Sequence, residues 1–170
     1  PGGADTPAKF WRNLHGGRDC IGIVPAQSRF DIEKFYDTEE GAPGKIRSKW
    51  VGFCDGIDQF DPMFFGISPR EATSMDPQQR MLLEVGYASV HGAGERLPTL
   101  RSADVGAFLG IMNTDFASFV ARGDRGVYAA TGGTISVAAG RLSFVLGLQG
   151  SCLSIDTACS SALAAAHSAR

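Results

Sequence analysis

The sequence predicts an α/β domain built around a largely parallel sheet. Three stretches carry that prediction. Val105–Ile111 and Ser151–Asp156 are short apolar runs of strand length. Between them Ile135–Leu146 reads as a buried helix rich in small residues, closed by Gly147. After the second run, Ala162–Ala169 is a strong helix former of alanines and leucine. Strands that alternate with helices in this way are joined in parallel through helical crossovers. The first strand is expected to be buried on both faces and the second to be buried as well.

The chain has 170 residues, 44% hydrophobic and 20% charged, as expected of a globular domain with a core of its own. No internal repeat or linker divides it, so residues 1–170 read as one domain. Sixteen basic and eighteen acidic side chains leave a formal charge of −2. That excludes the dense positive field of a nucleic-acid binder and argues against electrostatic attachment to a membrane. No apolar run approaches the ~20 residues needed to span a bilayer, and no charged-then-apolar leader opens the sequence. The four cysteines, Cys20, Cys54, Cys152 and Cys159, are too sparse for a disulfide framework and do not stand at zinc-ligand spacing. The expectation is four reduced thiols in a reducing compartment, the cytoplasm. Glycine is abundant, at 22 residues dispersed among apolar neighbours, which implies tight turns and close backbone approaches.

Each element has a local cause. Thr6 caps a first helix, Pro7 fits its first turn, Phe10, Trp11 and Leu14 share a face, and Gly16-Gly17 stop it. Asp19–Lys49 carries charges, Pro25 and Pro43, and reads as a long excursion with little regular structure. The aromatic cluster at Phe60-Asp61-Pro62-Met63-Phe64-Phe65 reads as local core. Asp76 caps the longest helix, with Pro77 as its first residue and Gln79 placed for a capping box. Met81, Leu82, Val85 and Ala88 form the expected buried stripe, and Gly92 the end. His91 in the last turn, like His15 before Gly16, suits the negative end of a helix dipole and reads as structural.

One place looks chemical. Cys159 stands where the strand at Ser151–Asp156 turns sharply into a helix. Such a turn exposes a nucleophile and aims it at the first free N–H groups of the helix. Those donors favour thiolate over thiol and can stabilise an oxyanion when a thioester carbonyl is attacked. The other three cysteines read as small buried hydrophobes, Cys152 most of all because it lies mid-strand. A nucleophile needs a base. His167 lies eight residues on, roughly 12 Å along a helix axis, and does not reach.

The segment Asp156-Thr157-Ala158-Cys159-Ser160-Ser161-Ala162-Leu163 resembles the active-site segment of β-ketoacyl-acyl-carrier-protein synthases, the ketosynthase domains of type I polyketide synthases. Phe64-Phe65-Gly66-Ile67-Ser68-Pro69-Arg70-Glu71-Ala72, continuing through Met75-Asp76-Pro77-Gln78-Gln79-Arg80, looks like a second hallmark. Gly140-Arg141-Leu142-Ser143-Phe144-Val145-Leu146-Gly147-Leu148 is a third, and Pro1-Gly2-Gly3-Ala4-Asp5 resembles the stretch after the family's first strand. The likeness runs in order through nearly the whole chain. Departures are Gly150-Ser151 where the family usually has Gly-Pro, Tyr87-Ala88-Ser89 where it has Trp-Glu-Ala, and Ala162 where it has serine. These bear on subfamily and substrate preference.

The resemblance implies a thiolase-like fold of α-β-α-β-α layers, of which this chain is an incomplete N-terminal half. The first strand and the second half, with the family's catalytic histidines and lysine, are expected outside it. It implies an acyltransferase that forms carbon–carbon bonds by decarboxylative condensation in polyketide or fatty-acid assembly. Cys159 would be the acyl acceptor, and Ile111, Met112 and Asn113 would line the acyl pocket. No metal or redox cofactor is implied, because acyl groups arrive on the phosphopantetheine arm of an acyl carrier protein. A homodimer partner and neighbouring synthase domains are the other implied partners; no nucleic acid or membrane is among them. Two rival readings are a non-catalytic ketosynthase-like partner, which the presence of Cys159 opposes, and a cysteine hydrolase of another α/β fold. The hydrolase would need His15 or His91 beside Cys159.

Overall fold

The computed structural model describes residues 2–26, 29–101, 103–121 and 126–170. Pro1 of the opening motif, with Gln27 and Ser28 of the expected irregular stretch, lies outside the described residues. The chain divides into two compact units, Pro1–Ile57 and Asp58–Arg170.

In the first unit, helix α1 (Pro7–His15) starts where Thr6 Oγ1 accepts the Lys9 N–H at 3.3 Å. Phe10, Trp11 and Leu14 lie exposed on it. Strand β1 (Gly22–Ile23) pairs antiparallel with β2 (Trp50–Val51), Gly22 opposite Val51. Between them runs the expected irregular excursion, broken by a 3-10 turn at Ile32–Lys34 that Asp31 caps. Val24 and Ile32 are the buried apolar residues of this unit. The short pairing was not foreseen. Two-residue strands carry no alternation to read.

The second unit holds the larger core. Phe60 and Phe65 stack at 5.3 Å, Tyr87 meets the edges of Phe64 and Phe65, and the cluster packs on Ile67, Met75, Leu83 and Leu142. The expectation of local core holds for Phe60 and Phe65, which pack against the core, but not for Met63 and Phe64, which are exposed. Helix α2 (Pro69–Ser74) is capped by Ser68, whose Oγ accepts the Glu71 N–H at 3.1 Å. Helix α3 (Pro77–Gly92) follows, and Asp76 caps it by accepting the Gln78 N–H at 2.8 Å.

Two expectations for α3 are corrected. The capping box is not made: Gln79 turns inward, 2% exposed, and donates to the carbonyls of Thr131, Gly132 and Thr134 at 3.0–3.2 Å. The buried stripe is also on another face. Gln79 and Leu83 are buried, whereas Met81, Val85 and Ala88 are exposed and Leu82 is half-buried. Gln79 supplies donors to three carbonyls of the 131–134 turn and an acceptor to Arg141, and this buried polar network takes the inward face in place of the apolar residues. Gly86 adds to this choice: a Cβ there would stand 2.7 Å from Leu142 Cδ1, so the small residue lets the neighbouring helix close in. Gly92 is the last helical residue, and the chain turns at Ala93-Gly94.

The remaining elements are α4 (Leu97–Leu100), β3 (Ala107–Gly110), α5 (Asp115–Ala121), α6 (Ala129–Gly133), α7 (Ile135–Leu146), β4 (Cys152–Ile155) and α8 (Ser161–Ser168). Helix α7 has the predicted bounds, and Gly147 ends it in the left-handed conformation at φ +74°. β3 and β4 pair in parallel, from Ala107 opposite Cys152 to Gly110 opposite Ile155. Both α7 and α8 pack on this pair. The architecture is therefore mixed α/β, with α7 in the crossover from β3 to β4.

Contrary to the expectation from their apolar sequence, the strands are not buried on both faces. β3 runs from buried Ala107 to exposed Gly110, and Cys152 and Leu153 of β4 are exposed. Among the described residues each has a single strand neighbour. Cys152 is the first residue of β4 rather than mid-strand, and is exposed, as is Cys54; Cys20 is half-buried. All four cysteines are free thiols. Among the described residues no helix is long and apolar enough to cross a membrane.

Candidate active site

β4 hands the chain to a tightly tied turn. Asp156 Oδ1 accepts the Ala158 N–H at 3.0 Å, an Asx-type closure just after the strand. Ala158 then takes φ +56°, the one non-glycine residue with positive φ among the described residues. A Cβ in this region crowds the following carbonyl, so the conformation persists only where neighbours impose it. Here they are serines and a threonine. Thr157 N–H donates to Ser161 Oγ at 2.9 Å, and Ser161 Oγ donates to the Ala158 carbonyl at 2.7 Å. Ser160 Oγ donates to the Thr157 carbonyl at 2.8 Å and lies 2.9 Å from Thr157 Oγ1.

Cys159 occupies the middle of the 3-10 turn Ala158–Ser160 and is exposed, while Ser161 beneath it is 5% exposed. The sharp strand-to-helix turn expected from sequence is present. Its detail differs, because α8 begins at Ser161 and Cys159 precedes it in the 3-10 turn.

Ile111, Met112 and Asn113 leave β3 at the same end of the strand pair. Ile111 N–H donates to the Ile155 carbonyl at 3.1 Å and continues the ladder one step beyond Gly110. Ile111 is buried; Met112 and Asn113 are exposed. At Gly110 a Cβ would stand 2.5 Å from Ala162 N and 2.6 Å from Ser161 C. Only glycine lets the end of β3 touch the start of α8. The structure thus brings Ile111–Asn113 and the Cys159 turn to the C-terminal edge of the two parallel strands, where crevices of α/β sheets form.

The histidines lie elsewhere in the elements. His167 is in the last turn of α8, His91 stacks 6.1 Å from Tyr87 in the last turn of α3, and His15 ends α1. A cavity of about 560 Å³ beside Glu71 and Arg141 is lined by Phe65, Ile67, Tyr128 and Phe144; none of Ile111, Met112, Asn113 and Cys159 lines it.

Sequence reasoning missed a polar network that braces this end of the unit. Arg141 Nε donates to Gln79 Oε1 at 2.9 Å, and Arg141 Nη1 is paired with Glu71 Oε1. Gln78 Nε2 donates to the Asn113 carbonyl at 2.9 Å and to Asp76 Oδ2 at 3.1 Å. Asp76 N–H donates to the Gly132 carbonyl at 2.9 Å. The available signal was two adjacent glutamines behind a capping aspartate, but nothing in that spacing names partners 35 and more residues away.

The family described as beta-ketoacyl synthase, N-terminal domain, matches residues 1–170. Polyketide synthase GfsA of Streptomyces halstedii is 43% identical over 169 residues, which are 98% of this chain and 2% of that protein. Mycoketide-CoA synthase of Mycobacterium tuberculosis is 42% identical over 169 residues, which are 99% of this chain and 4% of that protein. Among solved structures, an oxazolomycin ketosynthase domain of Streptomyces albus matches 97% of this chain at 38% identity and a TM-score of 0.87, over 29% of its own length. The ketosynthase from module 6 of the bacillaene synthase of Bacillus subtilis matches 96% of this chain at 37% identity and a TM-score of 0.78, over 26% of its own length. The chain thus spans a small part of each relative. With its mixed α/β core and the match along all of its residues, the chain belongs to the β-ketoacyl synthase N-terminal domain family.

Proposed function

We propose that this chain is the nucleophile-bearing N-terminal part of a condensing acyltransferase, and that Cys159 accepts the acyl group. The observation that carries the reading is the exposed thiol of Cys159, held in a serine-tied turn between β4 and α8 with Ala158 in the left-handed region. A strained, tied turn is what keeps a nucleophile presented to a large thioester instead of folded against the core.

In this reading Cys159 Sγ attacks the carbonyl carbon of an acyl thioester carried on the phosphopantetheine arm of an acyl carrier protein. A new C–S bond forms as the thioester carbonyl opens to a tetrahedral oxyanion, and on its collapse the carrier thiol leaves with the proton that Cys159 gives up. A malonyl-type thioester then loses carbon dioxide. Its carbanion attacks the cysteine-bound acyl carbon, the C–C bond forms, and the Cys159 thiolate departs. Dividing the reaction through a covalent intermediate replaces one high barrier by two lower ones. Ile111, Met112 and Asn113 line the acyl chain's path. In this proposal the histidines that assist decarboxylation lie in another part of the full-length protein, within a thiolase-like layered domain that pairs as a homodimer. The 170-residue chain alone therefore releases no β-ketoacyl product.

The test supplies the full-length synthase with an acyl carrier thioester and a malonyl carrier thioester labelled with carbon-13 at the methylene. A β-ketoacyl product that carries the label supports condensation. Free acid without a new carbon–carbon bond identifies a hydrolase and overturns the proposal.

A further inference from the structure

We propose that Gln78 is a positioning residue that fixes the acyl-pocket wall at Met112–Asn113 and thereby sets which acyl chain lengths load onto Cys159. The inference rests on the proposed function, in which Cys159 accepts the acyl group and Ile111, Met112 and Asn113 line its path. Its own ground is the path of the chain after β3. The strand ladder ends with the Ile111–Ile155 bond, and helix α5 begins only at Asp115. Among the described residues, the hydrogen bond that ties Met112 or Asn113 to another element is the one from Gln78 Nε2 to the Asn113 carbonyl, 2.9 Å long.

Gln78 is itself held. Its backbone N–H donates to Asp76 Oδ1 at 2.8 Å, and its amide also reaches Asp76 Oδ2 at 3.1 Å. Both partners of the side-chain amide are acceptors, a carbonyl and a carboxylate, so only its NH2 end can face them. Asp76 is 5% exposed and tied through its own N–H to the Gly132 carbonyl. Asn113 is thus referenced to the buried corner between α2 and α3, not to its own loop.

Three residues before it, Gly110 is pressed against Ser161 and Ala162, residues that follow Cys159. The segment is pinned at one end beside the nucleophile turn and at the other by Gln78. Met112, between the pins, is exposed and unbranched, so its backbone position decides how far its side chain stands over the acyl path. Releasing one pin changes the depth available to long acyl groups. An acetyl group, the shortest, is expected to feel the change least.

The test compares full-length wild type with Gln78→Met, which keeps length and removes the donor, and Gln78→Glu, which presents an acceptor to two acceptors. Loading of Cys159 from acetyl and octanoyl thioesters is measured by mass spectrometry, alongside amide hydrogen exchange of the peptide spanning Met112 and Asn113. Both variants are expected to speed exchange in that peptide by about tenfold, the scale of one lost hydrogen bond. They are also expected to change the octanoyl-to-acetyl ratio of loading rates by about fivefold or more, within the range that a pocket's fit to methylene groups can produce. Ile67→Val, a mild change in the core, should lower stability and leave the ratio alone. Unchanged exchange, an unchanged ratio, or an equal fall for both acyl groups overturns the proposal. Absence of loading in the wild type instead sinks the assignment of Cys159, and the exchange measurement then still decides whether Gln78 holds the segment.

Discussion

Arg141 of α7 reaches across to Gln79 of α3 and donates through Nε to its Oε1 at 2.9 Å, joining two helices that face each other over the core. The same glutamine spends its NH2 group on the carbonyls of Thr131, Gly132 and Thr134, while Arg141 turns its other end to Glu71. One buried amide therefore satisfies acceptors of the 131–134 turn and a guanidinium donor at once. Little water reaches the site to replace it, since Gln79 is 2% exposed.

Replacing Gln79 with leucine keeps volume and removes every one of these bonds. Buried groups left without partners cost far more than a made hydrogen bond gains, so Gln79→Leu is expected to destabilise the domain by about 3 kcal/mol. Urea unfolding of the variant beside wild type reads this directly. A loss below about 0.5 kcal/mol, the scale of an ordinary surface change, contradicts the network's role.

The glycines divide into those the packing requires and those it does not. A Cβ at Gly132 would stand 1.8 Å from the Ser74 carbonyl oxygen, backbone that cannot yield cheaply, whereas a Cβ at Gly140 meets nothing within 4 Å. Gly132→Ala is expected to cost about 3 kcal/mol or to prevent folding, in the range of severe overpacking. Gly140→Ala, inside α7, should stabilise by about 0.5–1 kcal/mol through helix propensity. Thermal melts of the two variants check the opposite signs.

Much of the fold was legible because the local signals were strong. Thr6, Asp76 and Gly147 mark element ends that the structure keeps, and Ile135–Leu146 is a helix over the range its apolar residues define. The turn at Cys159 was legible for the same reason, as an apolar strand runs directly into an alanine-rich helix. What stayed hidden depends on distant partners. The inward face of α3 was misassigned because Met81 and Val85 outweigh Gln79 in any apolar count, and the hydrogen bonds that Gln79 makes with the 131–134 turn and with Arg141 reverse that choice. Gln78 holding Asn113 was hidden likewise, and the left-handed backbone of Ala158 leaves no mark in residue type.

Large apolar side chains stand open on the second unit: Phe144 is 86%, Leu163 77% and Phe119 73% exposed. Large apolar side chains open to water favour association. The 170-residue chain by itself is therefore expected to bind a hydrophobic dye strongly and to self-associate as its concentration rises. A monodisperse monomer with a sharp melt and no dye signal would show that these side chains need no cover.

The central claim is that Cys159 carries the acyl group, and acyl loading followed by peptide mass spectrometry tests it most directly. In the full-length synthase given an acyl carrier thioester, the acyl mass should fall on the peptide containing Cys159. Cys159→Ala should abolish it. Cys159→Ser should fail as well, because an alkoxide is far harder to form than a thiolate. Cys152→Ala, which alters an exposed residue at the start of β4, should load like wild type. Acyl mass found on Cys152, or loading of Cys159→Ala at the wild-type rate, would contradict the account.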